Sequence, residues 1–296
     1  MSTAIFTNEL YADELLSITL RLGPHGSDNV FRVARVFMAI NNSMGKLRDL
    51  YNKLLRIPPP PQPQTVALWP DPTADPTKSI PTLEFFAKVD RANGKPLPRI
   101  DEDNERHAMY LARMRINTST QAEATTQNVF VKFAVKYHEA AHRLLADQNP
   151  PLAPALHFCA RVVGDMYMVV MEYIPQSVGR SVDPHVSGPA LPQNLPQVVR
   201  QDVSKALGLL HGENWVFGDL REPNLIYLPD SDSDGGRVLF VDFDAVGPDG
   251  EARYSACLNP KAGFCASVQR GQIMKKEHDW ENLEVLLGRL VDKLKF

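Results

Sequence analysis

The sequence predicts an α+β fold, in which a small antiparallel sheet with one helix is followed by a mainly helical half. Residues 81–174 contain short runs of β-branched and aromatic residues with the period of two that is typical of strands. Two longer segments, 195–214 and 279–294, instead carry apolar residues at helical spacing. The chain has 296 residues, of which 44% are hydrophobic, so it can bury one large core or two smaller ones.

Two segments precede this predicted domain. Residues 1–56 are expected to form a helical extension, because "ELLSITLRL" and "FRVARVFMAI" have apolar residues near helical spacing on either side of the breaker "GPHG". Residues 57–80 are rich in proline, which lacks an amide donor and fixes φ, so we expect a linker or a surface strap. A polyproline ligand for a partner domain is the alternative use of this segment.

Five strands and one helix are expected within residues 81–174. The strand pattern is clearest in "NVFVKFAV", where Val129, Val131, Phe133 and Val135 share one face, and Lys132 and Lys136 lie on the other. The helix follows at once as "YHEAAHRLLA". The other strands are "TLEFFAKV", "RHAMYLARMRI" and the two arms of a hairpin, "ALHFCARVV" and "MYMVVMEY", which the turn Gly164-Asp165 joins.

The second half adds two short strands, "NLIYL" and "RVLFVDF", after its first helix. The acidic segment between them, "DSDSDG", imitates the start of an EF-hand calcium loop. Its twelfth position is Val241, which cannot supply the carboxylate that such a loop needs, so a hairpin loop is expected. The segment "DWENLEVLLGRLVDKL" closes the chain as an amphipathic helix.

Composition excludes several classes of protein. A net charge of −3 gives no general electrostatic reason to bind nucleic acid or an anionic membrane. No run of about 18 apolar residues occurs, so no membrane span is expected. The three cysteines, Cys159, Cys257 and Cys265, have no CxxC spacing, and no signal peptide precedes them. We therefore expect an intracellular protein, in the cytoplasm or the nucleus.

Acidic residues stand at the ends of two of the short apolar strands. Asp219 follows "WVFG" and Asp242 follows "VLFV", so both are expected to be rigidly held and partly desolvated. The amide oxygen of Asn224, together with the Asp242 carboxylate, offers ligands for a magnesium ion that keeps water and phosphate as its other ligands. Asp219 is then available to orient a hydroxyl nucleophile, and Lys132 supplies positive charge to phosphates.

Five segments, taken together and in this order, resemble the motifs of the protein-kinase-like superfamily. The D-L-x-x-x-N spacing of its catalytic loop is met by Asp219, Leu220 and Asn224, and Asp242 with Phe243 resembles its metal-binding Asp-Phe-Gly segment. In chain order the segments are "VFVKF", "MVVMEYI", "LLHGENWVFGDLREPNLIYL", "VLFVDFD" and "HDWENLEVLL". The combination of "GDLREPN", "DFDAVG" and "KYHEAAHRLLA" is most like divergent kinase-like proteins of mushroom-forming (basidiomycete) fungi.

The resemblance implies a two-lobed fold over residues 81–296, with an N-lobe at 81–174, a truncated C-lobe at 175–296 and ATP between them. It implies that Lys132 contacts the ATP phosphates and pairs with Glu139. It also places Glu172, in the hinge segment, among the residues that bind the nucleotide. Arg221 takes the place of the catalytic-loop lysine, beside Asp219, and Asn224 and Asp242 hold magnesium. Asp279 braces the catalytic loop.

The sequence departs from the family pattern at several places. Phe217 and Gly218 replace the histidine and arginine that precede the catalytic aspartate, so control by a phosphorylated activation loop is not expected. Asp244 replaces the glycine of Asp-Phe-Gly, and either adds a carboxylate to the metals or faces solvent. The first two strands have no GxGxxG between them, and the helices that would seat a protein substrate do not follow residue 296. Glu222 is expected to be a surface charge.

The function expected from these residues is an ATP- and magnesium-dependent phosphotransferase, most simply a serine/threonine protein kinase. Its partners would be ATP and a protein or small molecule that offers a hydroxyl group. Two alternatives stay open. One is a pseudokinase that acts as a nucleotide-binding interaction module. The other is a small-molecule kinase of the aminoglycoside or choline type, because such enzymes also have a Gly-Asp-Leu loop.

Overall fold

The structure, a computed structural model, forms two compact units, Met1–Leu68 and Trp69–Phe296. The division falls inside the proline-rich segment that the sequence predicts to be a linker. The structure describes residues 2–6, 9–13, 26–54, 69–70, 72, 79–89, 96–97, 108–116, 125–162, 166–183, 186, 191–229, 236–259 and 261–293.

The first unit is only partly helical. Strands β1 (Ser2–Phe6) and β2 (Glu9–Asp13) pair as an antiparallel hairpin, which corrects the expectation of helix throughout residues 1–56. Helix α1 (Gly26–Leu54) contains the predicted segment "FRVARVFMAI". The other predicted helix, "ELLSITLRL", lies outside the described residues. The hairpin was missed because its strands lack a long run of β-branched residues, so sequence pattern alone did not separate them from a helix.

The second unit begins with a six-stranded antiparallel sheet, one strand more than the sequence predicts. The strands are β3 (Leu83–Val89), β4 (Pro96–Leu97), β5 (Met109–Ile116), β6 (Thr125–Ala134), β7 (Leu156–Val162) and β8 (Met166–Glu172). Their order in the sheet is β4-β3-β5-β6-β8-β7. The short additional strand, β4, pairs with β3. The predicted turn at Gly164-Asp165 lies outside the described residues.

Strand β6 runs through the middle of this sheet and carries Lys132. The residue lies opposite Met109 of β5 and Val169 of β8, so its backbone is held from both sides. Val129 and Val131 are fully buried in a core on one face and Phe133 packs against it, as the alternation predicts. Val135 follows the end of the strand and is 68% exposed, which the alternation did not predict. Lys132 therefore projects from the other face. Helix α2 (Glu139–Ala146) follows β6, and its N-cap is His138, whose Nδ1 accepts a hydrogen bond from the Ala141 amide.

The remainder of the second unit is mainly helical, with two small groups of strands among its described residues. Strands β12, β11 and β9 form one sheet, and β10 pairs with β13. The acidic segment "DSDSDG" between β11 and β12 lies outside the described residues. The elements are β9 (Arg180–Ser181), α3 (Leu195–Gly212), β10 (Trp215–Val216), a 3₁₀ turn (Glu222–Asn224), β11 (Leu225–Leu228), β12 (Arg237–Phe240), β13 (Gly247–Pro248) and α4 (Lys276–Lys293).

One apolar core joins α2, α3 and α4 to the strands between them. At its centre Phe217 packs edge-on against Phe240 and Phe243, with ring centroids 4.9 and 5.8 Å apart. Such contacts add to the free energy gained from burial alone. Because Phe217 and Phe243 border the two acidic segments, this core fixes both segments relative to each other. None of the helices among the described residues is long and apolar enough to cross a membrane.

Candidate functional site

A buried carboxylate holds the start of the loop that carries Asp219. Asp279, in the first turns of α4, is fully buried, and its two oxygens accept hydrogen bonds from the amides of Phe217 and Gly218, at 2.7 and 3.0 Å. His211, at the end of α3, places its Nε2 3.0 Å from the same carboxylate. Ionised acceptors make stronger hydrogen bonds than neutral ones, so this contact fixes the loop backbone just before Asp219.

Gly218 has no room for a side chain. Its φ is +77°, and a Cβ atom there would lie 2.3 Å from Cε of Met274 and 3.1 Å from the carbonyl oxygen of Ala245. Only glycine adopts such a φ without strain. An arginine here would be strained by the backbone conformation and would have to displace the end of the Met274 side chain.

Asp219 is surrounded by donors from its own loop. Arg221 donates from Nε to Oδ1 at 2.5 Å and from Nη2 to Oδ2 at 2.7 Å. The Asn224 amide nitrogen donates to the carbonyl oxygen of Asp219 at 2.8 Å and to its Oδ2 at 2.7 Å. Both of those partners are acceptors, so the amide orientation is determined and the Asn224 oxygen is left as an acceptor. The Arg221 guanidinium also lies over the ring of Phe264, 5.0 Å from its centroid.

Lys132 meets the second acidic segment across the two halves of the unit. Its Nζ donates to Oδ1 of Asp242 at 2.6 Å and to Oδ2 of Asp244 at 2.7 Å. The lysine side chain is only 14% exposed. Asp242 has a φ of +69°, a conformation that is uncommon for residues other than glycine and concentrated at functional sites.

A backbone hydrogen bond connects the two acidic segments directly. The Val241 amide donates to the carbonyl oxygen of Asn224 at 2.9 Å, so Asp242 lies beside the end of the Asp219 loop. The structure thus brings together five of the predicted site residues: Lys132, Asp219, Arg221, Asn224 and Asp242.

Burial and neighbouring charges oppose each other in this cluster. Burial acts to lower the pKa of Lys132, but Asp242 and Asp244 outweigh it and the pKa is raised. Burial raises the pKa of Asp219, and Asp242 adds to this, although Arg221 and Asn224 act in the opposite direction. Burial and the neighbouring Asp242 raise the pKa of Asp244 to about 7, against the opposing effect of Lys132. The cluster therefore holds more negative charge than its own cations neutralise.

The expected pair between Lys132 and Glu139 is not formed, and this prediction is wrong. Glu139 instead accepts from Nε of Arg143 at 2.9 Å, one turn further along α2. The physical reason is the early start of the helix. Glu139 is its first residue and lies within reach of its i+4 neighbour, while the inward face of α2 is formed by Ala141, His142 and Leu145.

Glu222 is buried, which corrects the expectation of a surface charge. Its side chain accepts two hydrogen bonds from Arg289 of α4, at 2.7 and 2.9 Å. Arg289 donates a third to the carbonyl oxygen of Gly263 at 2.5 Å. The pair ties the 3₁₀ turn of the loop to α4. A signal existed in the sequence, since Glu222 directly precedes the proline of that turn and Arg289 lies on the helix that carries Asp279.

The remaining predicted site residue, Glu172, ends strand β8. Its Oε2 accepts from the Ala155 amide at 3.2 Å, and the side chain is exposed. This contact does not connect Glu172 with the cluster around Lys132. The role of Glu172 in nucleotide binding stays a prediction.

The acidic side chains of the cluster could supply only part of the ligands that a magnesium ion needs. No group of three or more His, Cys, Asp or Glu side chains in the described part of the chain forms a ready metal site. Magnesium is commonly held by one or two protein oxygens and completes its shell with water and phosphate. The Asp242 carboxylate and the Asn224 amide oxygen meet that requirement. Oδ1 of Asp244 is buried and has no hydrogen-bond partner among the described residues, as expected of a site that a ligand completes.

Comparisons with known proteins identify the fold. The chain is similar to the structure of vaccinia related kinase 3, with a TM-score of 0.50 and 14% identity over 77% of this chain and 70% of that one. It is also similar to the kinase PK-1 of Cydia pomonella granulovirus, with a TM-score of 0.48 and 15% identity over 71% and 70% of the two chains. No protein-family model and no curated protein sequence matches this chain.

The chain has a protein-kinase-like fold, and the predicted α+β class is confirmed. The sheet with α2 corresponds to the smaller lobe and the helical part to the larger one. The bounds that the sequence analysis gives to the lobes, 81–174 and 175–296, stay predictions.

Proposed function

We propose that this chain is an ATP- and magnesium-dependent phosphotransferase that transfers the γ-phosphoryl group of ATP to a hydroxyl group. A serine/threonine protein kinase is the simplest form of this activity. The observation that carries the proposal is the meeting of Lys132, from the sheet, with Asp242, Asn224 and Asp219, from the helical half. These are the residue types that phosphoryl transfer needs: a cation for phosphates, oxygens for magnesium and an acid for the nucleophile.

Each residue has a role that follows from its contacts. Lys132 binds the ATP phosphates, and the oxygens of Asp242 and Asn224 hold magnesium. Magnesium, when bound, neutralises charge on the phosphates and so lowers the barrier to transfer. Arg221 provides a second cation beside Asp219 for the transferred group. Asp279 keeps the loop in place from beneath.

Asp219 retains the capacity to orient a hydroxyl group. Its carboxylate accepts two hydrogen bonds from Arg221 and one from Asn224. A carboxylate offers about four acceptor positions, so one is left for the acceptor substrate. Its side chain is 18% exposed, which leaves that position within reach of a ligand. We infer that Asp219 accepts the hydroxyl hydrogen bond and so directs the oxygen lone pair at the phosphorus.

Transfer from labelled ATP tests the proposal directly. Asp219→Asn keeps the shape of the side chain but removes its charge, so transfer should fall by about 10²–10⁴-fold. The matched control is Glu251→Gln, a substitution of the same kind at an exposed acid outside the cluster, and it should leave transfer unchanged. Equal transfer by the wild type and Asp219→Asn, with peptides and small alcohols as acceptors, would contradict the role of Asp219.

A pseudokinase is the second candidate, because both oxygens of Asp219 are engaged by Arg221 and Lys132 is engaged by two aspartates. Thermal unfolding with ATP and magnesium separates the two candidates. A ligand present at a hundred times its dissociation constant stabilises a protein by about 2.7 kcal/mol. Stabilisation of that size without transfer to any acceptor would favour a nucleotide-binding module.

The conformation of Gly218 favours a small-molecule kinase, because this backbone suits glycine. The Gly-Asp-Leu loop is then a built-in feature of the chain and not a kinase loop that has merely lost its arginine. A screen for ADP release against aminoglycosides, choline and peptides distinguishes it from a protein kinase. The similarity to divergent fungal kinase-like proteins, which comes from sequence motifs, belongs to the proposal as well.

A further inference from the structure

Helix α2 offers no acid to Lys132. Its sequence, "EAAHRLLA", contains one acid, Glu139, and that side chain pairs with Arg143. The inward face of the helix carries His142 instead. Its ring stacks on Phe243 at 4.6 Å with an interplanar angle of 8°. Its Nε2 donates to the carbonyl oxygen of Pro154 at 2.8 Å, so its Nδ1 accepts from the Tyr137 hydroxyl at 2.6 Å. This imidazole is neutral and fully engaged.

Lys132 nevertheless has two carboxylate partners. Asp242 adjoins the loop that carries Asp219, because the Val241 amide donates to the carbonyl oxygen of Asn224. Asp244 follows two residues later, after Phe243, and its Oδ2 lies 2.7 Å from Nζ of Lys132.

The two aspartates also differ in what else surrounds them. The amide of His138, the N-cap of α2, donates to the carbonyl oxygen of Phe243 at 3.2 Å, so the backbone between the aspartates is fixed to the start of the helix. This contact holds Asp244 close to α2 independently of Lys132. Its side chain is 37% exposed overall, yet its Oδ1 is buried without a hydrogen-bond partner in the described part of the chain.

We propose that Asp244 is the positioning residue for Lys132, the anionic partner that fixes the ammonium group in place of an acid from α2. In this arrangement Asp242 serves as a magnesium ligand while Asp244 keeps Lys132 anchored. The inference rests on the proposed function, because positioning matters only if Lys132 binds the ATP phosphates. It explains why aspartate stands where the family pattern has glycine.

Nucleotide binding tests this role. Asp244→Asn should raise the dissociation constant of ATP roughly tenfold, and the KM for ATP with it, while kcat changes less, because an unanchored lysine weakens phosphate binding. The effect should persist for ATP in EDTA, since it acts through Lys132 and not through magnesium. Asp244→Glu should recover most of the affinity, because the exposed part of the side chain leaves space for one methylene. Glu251→Gln serves as the matched control.

A double-mutant cycle shows whether Asp244 acts through Lys132. In the Lys132→Met background, Asp244→Asn should cause no further loss of ATP affinity. Additive losses would overturn the proposal, and so would an effect that disappears in EDTA, which would make Asp244 a magnesium ligand instead.

Unfolding without nucleotide separates failure of this inference from failure of the proposed function. The same cycle, measured by urea unfolding, should show a Lys132–Asp244 coupling of roughly tenfold in the unfolding constant, at least as large as the Lys132–Asp242 coupling. If this coupling is present but the wild type does not bind ATP, the pairing stands and the proposed function fails. If the coupling is absent, Asp244 does not anchor Lys132, whatever the protein binds.

Discussion

The charged groups that tie the Asp219 loop to α4 and those around Lys132 are partnered very differently. The first set, which we call the loop base, has complete partners. Each Asp279 oxygen accepts a backbone amide, and both Glu222 oxygens accept from Arg289, which also donates to a backbone carbonyl. The loop base consists of Asp279, Glu222 and Arg289.

The charged groups around Lys132, which we call the acidic face, are incompletely partnered. One ammonium group serves two carboxylates, and one carboxylate oxygen is buried without a partner in the described part of the chain. A buried polar group without a partner costs stability, and native proteins retain it mainly where a ligand completes the site. The difference teaches that the complete pairs support the fold, while the incomplete ones lie where we propose that magnesium and phosphates bind. The acidic face consists of Lys132, Asp219, Asp242 and Asp244.

The largest expected effect is on the loop base. Asp279→Ala leaves the amides of Phe217 and Gly218 buried and unpaired, at about 1–3 kcal/mol each, so the free energy of unfolding should fall by about 4 kcal/mol. Urea unfolding measures this. Asp279→Asn should lose less, because its one amide oxygen still accepts one of the two hydrogen bonds. A loss below about 1 kcal/mol for Asp279→Ala would break the comparison.

His142 extends the comparison to a neutral group with complete partners. Burial lowers its pKa to about 4 from an ordinary value of 6.5, with smaller opposing contributions from Pro154 and Asp147. The unfolded chain therefore binds more protons than the folded one between these values, and stability is lost as pH falls from 6.5 towards 4. The loss should reach about 3 kcal/mol.

His142→Phe isolates this effect, because it keeps a ring against Phe243 and cannot titrate. The variant is expected to be less stable at neutral pH, since the Tyr137 hydroxyl and the Pro154 carbonyl lose their partner. Its unfolding free energy should nevertheless fall less steeply than that of the wild type between pH 6.5 and 4. Equal slopes would show that His142 is protonated in the folded protein.

The smallest effect on stability is expected at the acidic face. Asp242→Asn leaves Lys132 with one carboxylate and removes repulsion between the two aspartates, so the free energy of unfolding should change by less than about 1 kcal/mol or rise. Magnesium-dependent stabilisation by ATP should be lost at the same time. A loss of stability as large as that of Asp279→Ala would place Asp242 with the loop base and erase the distinction.

Patterns of neighbouring residues predicted the features that depend on local sequence, such as the face of a strand and the bounds of a helix. The alternation in "NVFVKFAV" placed Lys132 on the face opposite Val129 and Val131, and the structure confirms it. The resemblance assigned Lys132 to the ATP phosphates and Asp242 to magnesium, and the two side chains are in contact although 110 residues separate them. The residues of α2 and α4 were also predicted within a few positions of their observed bounds.

What the sequence did not predict depends on distance and orientation. The face that Glu139 presents follows from the residue at which α2 begins, and a shift of one residue turns a helical side chain by about 100°. Glu222 was misjudged because its partner Arg289 lies 67 residues away. The pairing of Asp244 with Lys132 was not predicted either, because it joins two segments that lie 112 residues apart.

Gly218 limits which single substitutions this chain can accept. A side chain there would have to displace the end of Met274 and press on the Ala245 carbonyl oxygen, and the φ of +77° strains residues other than glycine. An arginine at this position is therefore expected to cost stability unless Met274 and the neighbouring backbone change with it. An engineer who wants phosphorylation control must adapt these surroundings before introducing the residue.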